Sequence, residues 1–369
     1  MRINLILIPF VIILGLLLSN NDNAKNRKLY IVFCSIVLIL VASLRSAEWM
    51  AFKYNIDTLN YKNYFETYLE MNWEECWTLA YDRYFGHGGE SDIGFIVLNK
   101  IIGWFTHSFY VYSIIVDLIF FVPFGIVLYR YSDSIRQLIF AFVFYIALIQ
   151  VLLIGGGRQM FAIGFDIMAL LAMANRKTWR SIIFLLLGVS IHFSSFLFLV
   201  PLLMIRFETN PRILKLLHIG CFLAFPVVLL FPNELIVFMG EAVGVEKYAN
   251  YGNHEIQGGA TTFIILIELL SLFCFIAIKR KDLEKKDNMR LLYVMTPFMT
   301  LLAPLIHADG AMIRVSLYYH LFLSLLVPYA LDCVFKEMNR SIAYVAAVVG
   351  LAFFALQGGG MEYYFFWQK

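Results

Sequence analysis

The stretch QLIFAFVFYIALIQVLLI (residues 137–154) holds 18 residues without a charged side chain. A helix needs about 20 such residues to cross a hydrocarbon core roughly 30 Å thick. Similar runs recur along all 369 residues, of which 61% are hydrophobic and 15% charged, whereas soluble domains carry about 25% charged residues. These runs lack the period-2 alternation of β-barrel strands. The sequence therefore predicts an all-α, polytopic integral membrane protein.

Basic residues concentrate in short loops, which are predicted to be cytoplasmic because Lys and Arg are retained on that side of a membrane. These loops are NAKNRK (23–28), RYSDSIR (130–136), NRKTWR (175–180), RFETNPRILK (206–215), KRKDLEKKDNMR (279–290) and KEMNR (336–340). The predicted spans are 3–19, 29–46, 109–129, 137–154, 160–174, 213–231, 262–278, 291–306, 312–332 and 341–356. We expect a single transmembrane domain, 1–369, with external (periplasmic) insertions at about 45–108 and 232–261.

The apolar stretch 181–205 lies between two predicted cytoplasmic loops. It must therefore enter and leave the membrane on the same side, yet it is too short for two full crossings. We predict a hairpin or re-entrant pair of helices with His192 near its tip, which raises the total to about 10–12 transmembrane or re-entrant helices. The alternative is one tilted span with a basic loop on the unexpected side.

Three ionisable residues interrupt the apolar stretches: Arg158 in GGGRQMFAIG, His192 in GVSIHFSSF and Arg314 in GAMIRVSLYY. A charge at membrane depth costs about 2.5–3.5 kcal/mol, so it is retained where it meets a partner or a polar cavity. Arg158 follows three glycines and opens a predicted helix. Its planar fork and the helix N-terminus both favour phosphate or pyrophosphate. Alternatively, Arg158 extends to lipid headgroups and the glycines only form a turn.

Arg314 precedes Tyr318 and could bind a second phosphate or the same pyrophosphate; the alternative is an ion pair with Asp309 or Asp57. His192, with Ser194 and Ser195 close in sequence, is a candidate general base for a hydroxyl, since histidine is the residue most often used in this role. A hydrogen-bonded packing histidine is the competing interpretation.

The first external insertion contains Arg45 and then Asp57, Tyr61 and Tyr64, at a spacing that puts the last three on one helical face. Tyrosines beside a carboxylate suit stacking on sugar rings, although an interfacial aromatic belt is the simpler alternative. The stretch GHGGESDIGF adds His87, Glu90 and Asp92 on the same side. Nucleophile-elbow, zinc, P-loop and dinucleotide motifs are absent from the sequence, and its basic residues form no nucleic-acid patch.

Five short motifs follow one another between about residues 45 and 320. They are Arg45 before Asp57-Thr58 and Tyr61 (R…DT..Y), Asp92-Ile93-Gly94-Phe95 (usually E.GF or E.GY), Arg158-Gln159 with Ala162 (RQ..A), His192 with Ser194 (H.S), and Arg314 with Tyr318 (R…Y). In this order they resemble the EpsG-like branch of the Wzy polymerases of O-antigen, capsular polysaccharide and exopolysaccharide. Asp92 departs from the usual Glu of that family.

The resemblance implies a GT-C-like membrane glycosyltransferase in the bacterial cytoplasmic (inner) membrane, with its active site facing the periplasm or the cell exterior. Such an enzyme transfers a growing glycan from undecaprenyl pyrophosphate to a hydroxyl of the next lipid-linked repeat unit. Neither a metal nor a sugar nucleotide is expected as cofactor. A chain-length regulator protein could be a further partner, besides the lipid-linked oligosaccharides and membrane lipid; nucleic acid is not expected.

The residue roles that this resemblance suggests fall into two groups. The catalytic candidates are Arg158, Arg314, His192 and Asp57, and the substrate-binding candidates are Arg45, Tyr61, Asp92, Gln159, Ser194 and Tyr318. Three alternative functions remain open: a flippase or transporter of lipid-linked oligosaccharides, a membrane acyltransferase acting on surface glycans, and a ligase that moves finished glycan to another lipid.

Overall fold

The computed structural model describes residues 2–54, 57–85, 92–150, 157–208, 210–243, 260–357 and 362–368. Nearly all of these residues are helical, and no strand is named among them; two isolated β-bridges involve the C-terminal segment 362–368. The prediction of an all-α, polytopic membrane protein is confirmed.

Helices are numbered in chain order. The first eleven are α1 (Asn4–Ser19), α2 (Ala24–Ser43), α3 (Ala47–Tyr54), α4 (Thr58–Glu70), α5 (Trp73–Phe85), α6 (Ile93–Gly103), α7 (Phe109–Tyr131), α8 (Ile135–Phe144, continued by the π-helix Tyr145–Ile149), α9 (Gly157–Ala174), α10 (Thr178–Ile191, followed by the 3-10 helix Phe193–Phe198) and α11 (Leu199–Arg206).

The remaining helices are α12 (Pro211–Leu230), α13 (Pro232–Val243), α14 (Ala260–Ala277), α15 (Arg280–Lys285), α16 (Asp287–Tyr293), α17 (Thr296–Leu302), α18 (Ile313–His320), α19 (Leu323–Val334) and α20 (Glu337–Gln357); short 3-10 helices, Ala303–His307 and Gly310–Met312, precede α18. Six helical segments within the described residues are long and apolar enough to cross a membrane: Ala24–Ser43, Phe109–Tyr131, Gly157–Ala174, Pro211–Leu230, Met289–His307 and Glu337–Leu356. The pair α18–α19, bent by 47°, would make a seventh.

Within the described residues, each of the ten predicted spans coincides largely with one helix or with consecutive helical segments; residues 151–154 of the span 137–154 lie outside them. The stretch 181–205 is two short helices, α10 and α11 with its 3-10 turn, separated at His192, whose backbone is extended (φ −150°, ψ 110°). The chain falls into two compact units, Met1–Leu202 with Val348–Lys369, and Leu203–Ala347. The expectation of a single transmembrane domain stays a prediction.

In the first unit, α7 packs against α2 and α9, and α9 packs against α10. Small residues allow these close approaches, as in other membrane helix pairs. A Cβ added to Gly164 would lie 2.5 Å from the Ile119 carbonyl oxygen, so α9 and α7 meet backbone to backbone there. This packing fixes α9, whose first turn carries Arg158.

The C-terminal segment 362–368 closes the end of α2 in the same unit. The Ser46 N–H donates to the Tyr364 carbonyl at 2.9 Å, and the Phe366 N–H donates to the Leu44 carbonyl at 3.0 Å. The Tyr364 ring packs on Trp49 with centroids 4.3 Å apart. The last residues of the chain are therefore tied to the residues that flank Arg45.

In the second unit, α14 packs against α19 and α17, and α12 packs against α17. The chain bends after His320, between α18 and α19. Broken helices at membrane depth are tolerated where protein or a polar cavity satisfies the exposed backbone groups. Arg314 and Tyr318 both lie on α18, the first half of this broken pair.

Candidate functional site

Arg158 lies in the first turn of α9, directly after Gly157. A Cβ added to Gly157 would lie 3.1 Å from Cδ2 of Tyr61, so the Tyr61 ring packs directly on this backbone. The Tyr61 side chain is also a close electrostatic partner of the Arg158 guanidinium. The dipole of a helix favours an anion at its N-terminal end. The absence of a side chain at Gly157 therefore allows the Tyr61 ring to pack beside Arg158 at the start of α9.

Asp92 precedes the first residue of α6 and faces Arg158. Its Oδ2 lies 4.0 Å from Arg158 Nη1, and its side chain is only 5% exposed. The Cζ of Arg158 lies 5.5 Å from the centroid of the Phe95 ring, within the range of a cation–π contact. Arg158 is therefore held by a carboxylate, an aromatic face and a tyrosine, all from the motifs predicted to form the site.

Phe95 is the centre of an aromatic cluster. Tyr61, Tyr64 and Tyr68 of α4 make edge-to-face contacts with it, at centroid distances of 6.0, 6.4 and 6.1 Å. Tyr61 and Tyr68 are buried, whereas Tyr64 is partly exposed. The sequence spacing therefore grouped two tyrosines that the structure places against the same phenylalanine, and Tyr64 presents the more accessible ring.

Asp57 lies at the start of α4, one turn before Tyr61. Its carbonyl accepts the Tyr61 N–H at 3.0 Å, and its carboxylate Oδ1 accepts a hydrogen bond from Asn60 at 3.4 Å. The predicted shared face of Asp57, Tyr61 and Tyr64 is compatible with this position, and the catalytic role of Asp57 stays a prediction. His87 and Glu90, and the glycines 155 and 156, lie outside the described residues.

His192 is joined to the same region through α6. A Cβ added to Gly94 would lie 2.7 Å from the Ser190 carbonyl carbon, so α6 approaches the last turn of α10 very closely. Gly94 belongs to the motif that also supplies Asp92 and Phe95, and Ser190 is two residues before His192. The glycine of this motif therefore has a structural role, which is to bring α6 against the helix that ends at His192.

Ser194 and Ser195 follow His192 in the 3-10 helix and are both buried, Ser195 completely. The Ser195 hydroxyl donates to the carboxylate of Asp166 on α9. Sequence reasoning missed Asp166, although it is an ionisable residue inside an apolar span, the same signal that singled out Arg158. Gln159, next to Arg158, is also buried at 1% exposure, and Ala162 is completely buried.

Arg45 is 8% exposed, and its hydrogen bonds go to the protein. Its Nε donates to the Thr58 hydroxyl at 3.2 Å, and its Nη1 donates to the Ala42 carbonyl. Asp117, which accepts a 2.5 Å hydrogen bond from Ser43, is a close electrostatic partner. These contacts connect α2, α4 and α7. Arg45 therefore has a structural role in this region, and its role in substrate binding stays a prediction.

Arg314 and Tyr318 belong to the second unit. Arg314 is half-buried in the first turn of α18, after the 3-10 helix Gly310–Met312, and Tyr318 is 1% exposed. The Asp309 carbonyl accepts the Met312 N–H at 2.9 Å, which shapes the turn before α18. Arg314 thus occupies the beginning of a broken span. Its participation with Arg158 in one pyrophosphate site stays a prediction.

One of the comparisons with known proteins identifies a family for this chain. No curated protein and no solved structure matches the chain. The model of the EpsG family matches residues 49–367, a range that includes every candidate site residue except Arg45, just before its start. Because the match covers most of the chain, the protein belongs to the EpsG family.

Proposed function

We propose that this chain is a polysaccharide polymerase of the Wzy type. It would transfer a growing glycan from undecaprenyl pyrophosphate to a hydroxyl of the next lipid-linked repeat unit, at the outer face of the cytoplasmic membrane. Membership of the EpsG family indicates a polysaccharide-polymerase type of function. The lipid carrier, the acceptor and the membrane face are our extension of that coarser statement.

The observation that carries the proposal is the position of Arg158. Its planar fork lies in the first described turn of a membrane helix, where the helix dipole also attracts negative charge. In glycosyl transfer from a pyrophosphate, negative charge grows on the leaving oxygen as its bond to the anomeric carbon breaks. A preorganised guanidinium stabilises that charge without metal chemistry. Arg314 is assigned to the same leaving group or to the second substrate's pyrophosphate.

The acceptor needs a group that takes the proton of its attacking hydroxyl. We assign this role to His192, with Asp57 as the alternative, since both belong to the same unit as Arg158. In the reaction the acceptor oxygen bonds to the anomeric carbon, the pyrophosphate departs with the bonding electrons, and the base receives the hydroxyl proton. Partly exposed Tyr64 supports sugar binding, because aromatic rings stack on the apolar faces of sugars.

Direct measurement of polymerisation tests this proposal. Purified protein in liposomes is given a synthetic repeat unit on undecaprenyl pyrophosphate, and glycan length and released lipid pyrophosphate are measured. We expect a ladder of products from the wild type, none from Arg158→Ala, and weak extension from Arg158→Lys, which keeps the charge but loses the fork. Arg180→Ala, an exposed arginine in the first turn of α10, is the matched control and should leave the ladder intact.

A deletion strain distinguishes the competing functions. Loss of the polysaccharide ladder with one retained unit supports a polymerase, whereas loss of every unit would indicate a ligase or a flippase. Wild-type chain lengths in Arg158→Ala would refute the assignment of Arg158 to the leaving group.

A further inference from the structure

We propose that Asp166 is a positioning residue that holds the turn at His192 in place through Ser195. The inference rests on the proposed function, in which His192 accepts the proton of the acceptor hydroxyl. Asp166 lies inside the membrane helix α9, two turns after Arg158, and Ser195 lies in the 3-10 helix just beyond the break in the chain.

The contact between the two residues is short and fully enclosed. The Ser195 Oγ lies 2.5 Å from Oδ1 and 2.6 Å from Oδ2 of Asp166. Asp166 is 1% exposed and Ser195 is 0% exposed. A hydrogen bond enclosed in the low-dielectric interior of a protein is electrostatically stronger than one exposed to water. The bond therefore fixes where the 3-10 helix meets α9.

Ser195 is connected to His192 by the backbone. The Ser195 N–H donates to the His192 carbonyl at 2.9 Å, and the His192 N–H donates to the Gly188 carbonyl at 2.9 Å. Two consecutive backbone hydrogen bonds thus bracket His192. Because the side chain of Ser195 is anchored to α9, the whole turn is anchored to the helix that also carries Arg158.

Gly188 allows α9, α10 and the 3-10 helix to approach one another closely. A Cβ at this position would lie 2.5 Å from Ser195 Oγ and 2.9 Å from Asp166 Oδ1. It would also lie 3.4 Å from the carbonyl of Ala162, the alanine of the RQ..A motif. Only a residue without a side chain leaves room here for the carboxylate and the hydroxyl.

Stability alone is a poor reason for this arrangement. An aspartate within a span costs about 2.5–3.5 kcal/mol, and buried polar pairs are often replaced by apolar residues without loss of stability. What the pair supplies is a fixed geometry beside His192. Catalytic groups need such support, because a misplacement of about 1 Å can cost roughly 100-fold in rate.

The same two helices provide a matched control. The Ser181 hydroxyl of α10 donates to the Ala169 carbonyl of α9 at 2.9 Å, and Ser181 is completely buried. Ser181→Ala therefore removes a buried bond between α9 and α10, as Ser195→Ala removes one beside His192. Only the second change should affect the turn.

The kinetic experiment compares Ser195→Ala, Ser195→Thr, Asp166→Asn and Ser181→Ala in the liposome assay. We expect Ser195→Ala and Asp166→Asn to lower kcat roughly 10- to 100-fold with little change in KM for the lipid-linked acceptor. Ser195→Thr keeps the hydroxyl and should recover most of kcat, and it decides the question if Asp166→Asn fails to fold. Equal losses in Ser181→Ala and Ser195→Ala, or no difference between Ser195→Ala and Ser195→Thr, would overturn the proposal.

A second measurement needs no catalytic activity. Phe193, beside His192, is 37% exposed, so Phe193→Cys places a thiol on the turn. Its alkylation, followed by mass spectrometry of that peptide, should be faster when combined with Ser195→Ala but unchanged with Ser181→Ala. Unchanged alkylation with Ser195→Ala would contradict the positioning role. If the wild type fails to polymerise lipid-linked units, the proposed function fails, while the alkylation result still decides whether Asp166 anchors the turn.

Discussion

The Asp92 carboxylate lies 4.0 Å from the guanidinium of Arg158 and links the start of α6 to the start of α9. The same guanidinium lies over the Phe95 ring, which follows Asp92 by one helical turn. The acidic motif therefore supplies both a counter-charge and an aromatic face for one arginine. Two motifs that are far apart in the sequence therefore meet around that side chain.

Removing this counter-charge should destabilise the fold. Breaking a fully buried ion pair costs about 3–5 kcal/mol, and since the Arg158 side chain retains some solvent exposure, Asp92→Asn should cost about 1–3 kcal/mol. Asp92→Glu, which introduces the residue usual in the resembling motif, should retain most of the stability and activity. Denaturant unfolding in detergent, followed by tryptophan fluorescence, measures this; equal losses in the two variants would show that the charge is unimportant.

Two glycine-to-alanine substitutions should have opposite effects on stability, because Gly94 lies where α6 closely approaches α10 whereas Gly350 lies in open space. Gly94→Ala pushes a methyl group into the backbone of Ser190 and should cost about 1–3 kcal/mol. Gly350→Ala in α20 meets no atom within 4 Å and should be neutral or stabilise the helix by up to about 1 kcal/mol. The same unfolding assay compares them, and a tolerated Gly94→Ala would contradict the packing.

The predicted orientation can be tested with one cysteine on each side. Ser108 precedes α7 in the insertion predicted to be external, and Lys177 precedes α10 in a predicted cytoplasmic loop; both are exposed. In intact cells, a membrane-impermeant maleimide should label Ser108→Cys and leave Lys177→Cys unlabelled until the cells are lysed. The reverse pattern would invert the topology and remove the site from the outer face.

Glu48 and Lys62 form an ion pair outside the membrane-spanning segments, with Nζ 2.7 Å from Oε1. The hydrogen bond from Lys62 lowers the pKa of Glu48 below its ordinary value, and Glu48 raises the pKa of Lys62. The pair therefore stabilises the fold at neutral pH, and this contribution is lost as pH falls through the pKa of Glu48. Since Glu48 is more than half exposed, the effect should be small, about 0.2–1 kcal/mol.

The free energies of unfolding of the wild type and of Lys62→Met, measured over a range of pH, give the contribution of this ion pair. Their stability difference should be present at pH 7 and shrink as the pH falls through the lowered pKa of Glu48, where its carboxylate becomes protonated. A difference that persists at low pH would indicate that Lys62 acts by packing instead of by charge.

Sequence patterns were sufficient to predict the apolar helices, and they singled out Arg158, which the structure places beside Asp92 and Phe95. Hydrophobic length is a local property, because each span must satisfy its own backbone hydrogen bonds in lipid, so the helices coincide with the predicted runs. Arg158, Asp92 and Tyr61 were found because charged and aromatic residues stand out beside apolar stretches. Their short motifs also carried the family resemblance that the match over residues 49–367 confirms.

The partners of these side chains required the folded chain. In the sequence Asp166 is an isolated polar residue, and only the fold shows that the turn at His192 brings Ser195 into hydrogen-bonding contact with it. Likewise, only the fold shows that Gly94 packs against the backbone of Ser190. The C-terminal segment gave no sign that it would pack beside Arg45. The hydrophobicity of a span is set by its own residues. A hydrogen bond between residues that are distant in the sequence depends instead on how whole helices cross, and these crossings are determined by packing throughout the compact unit.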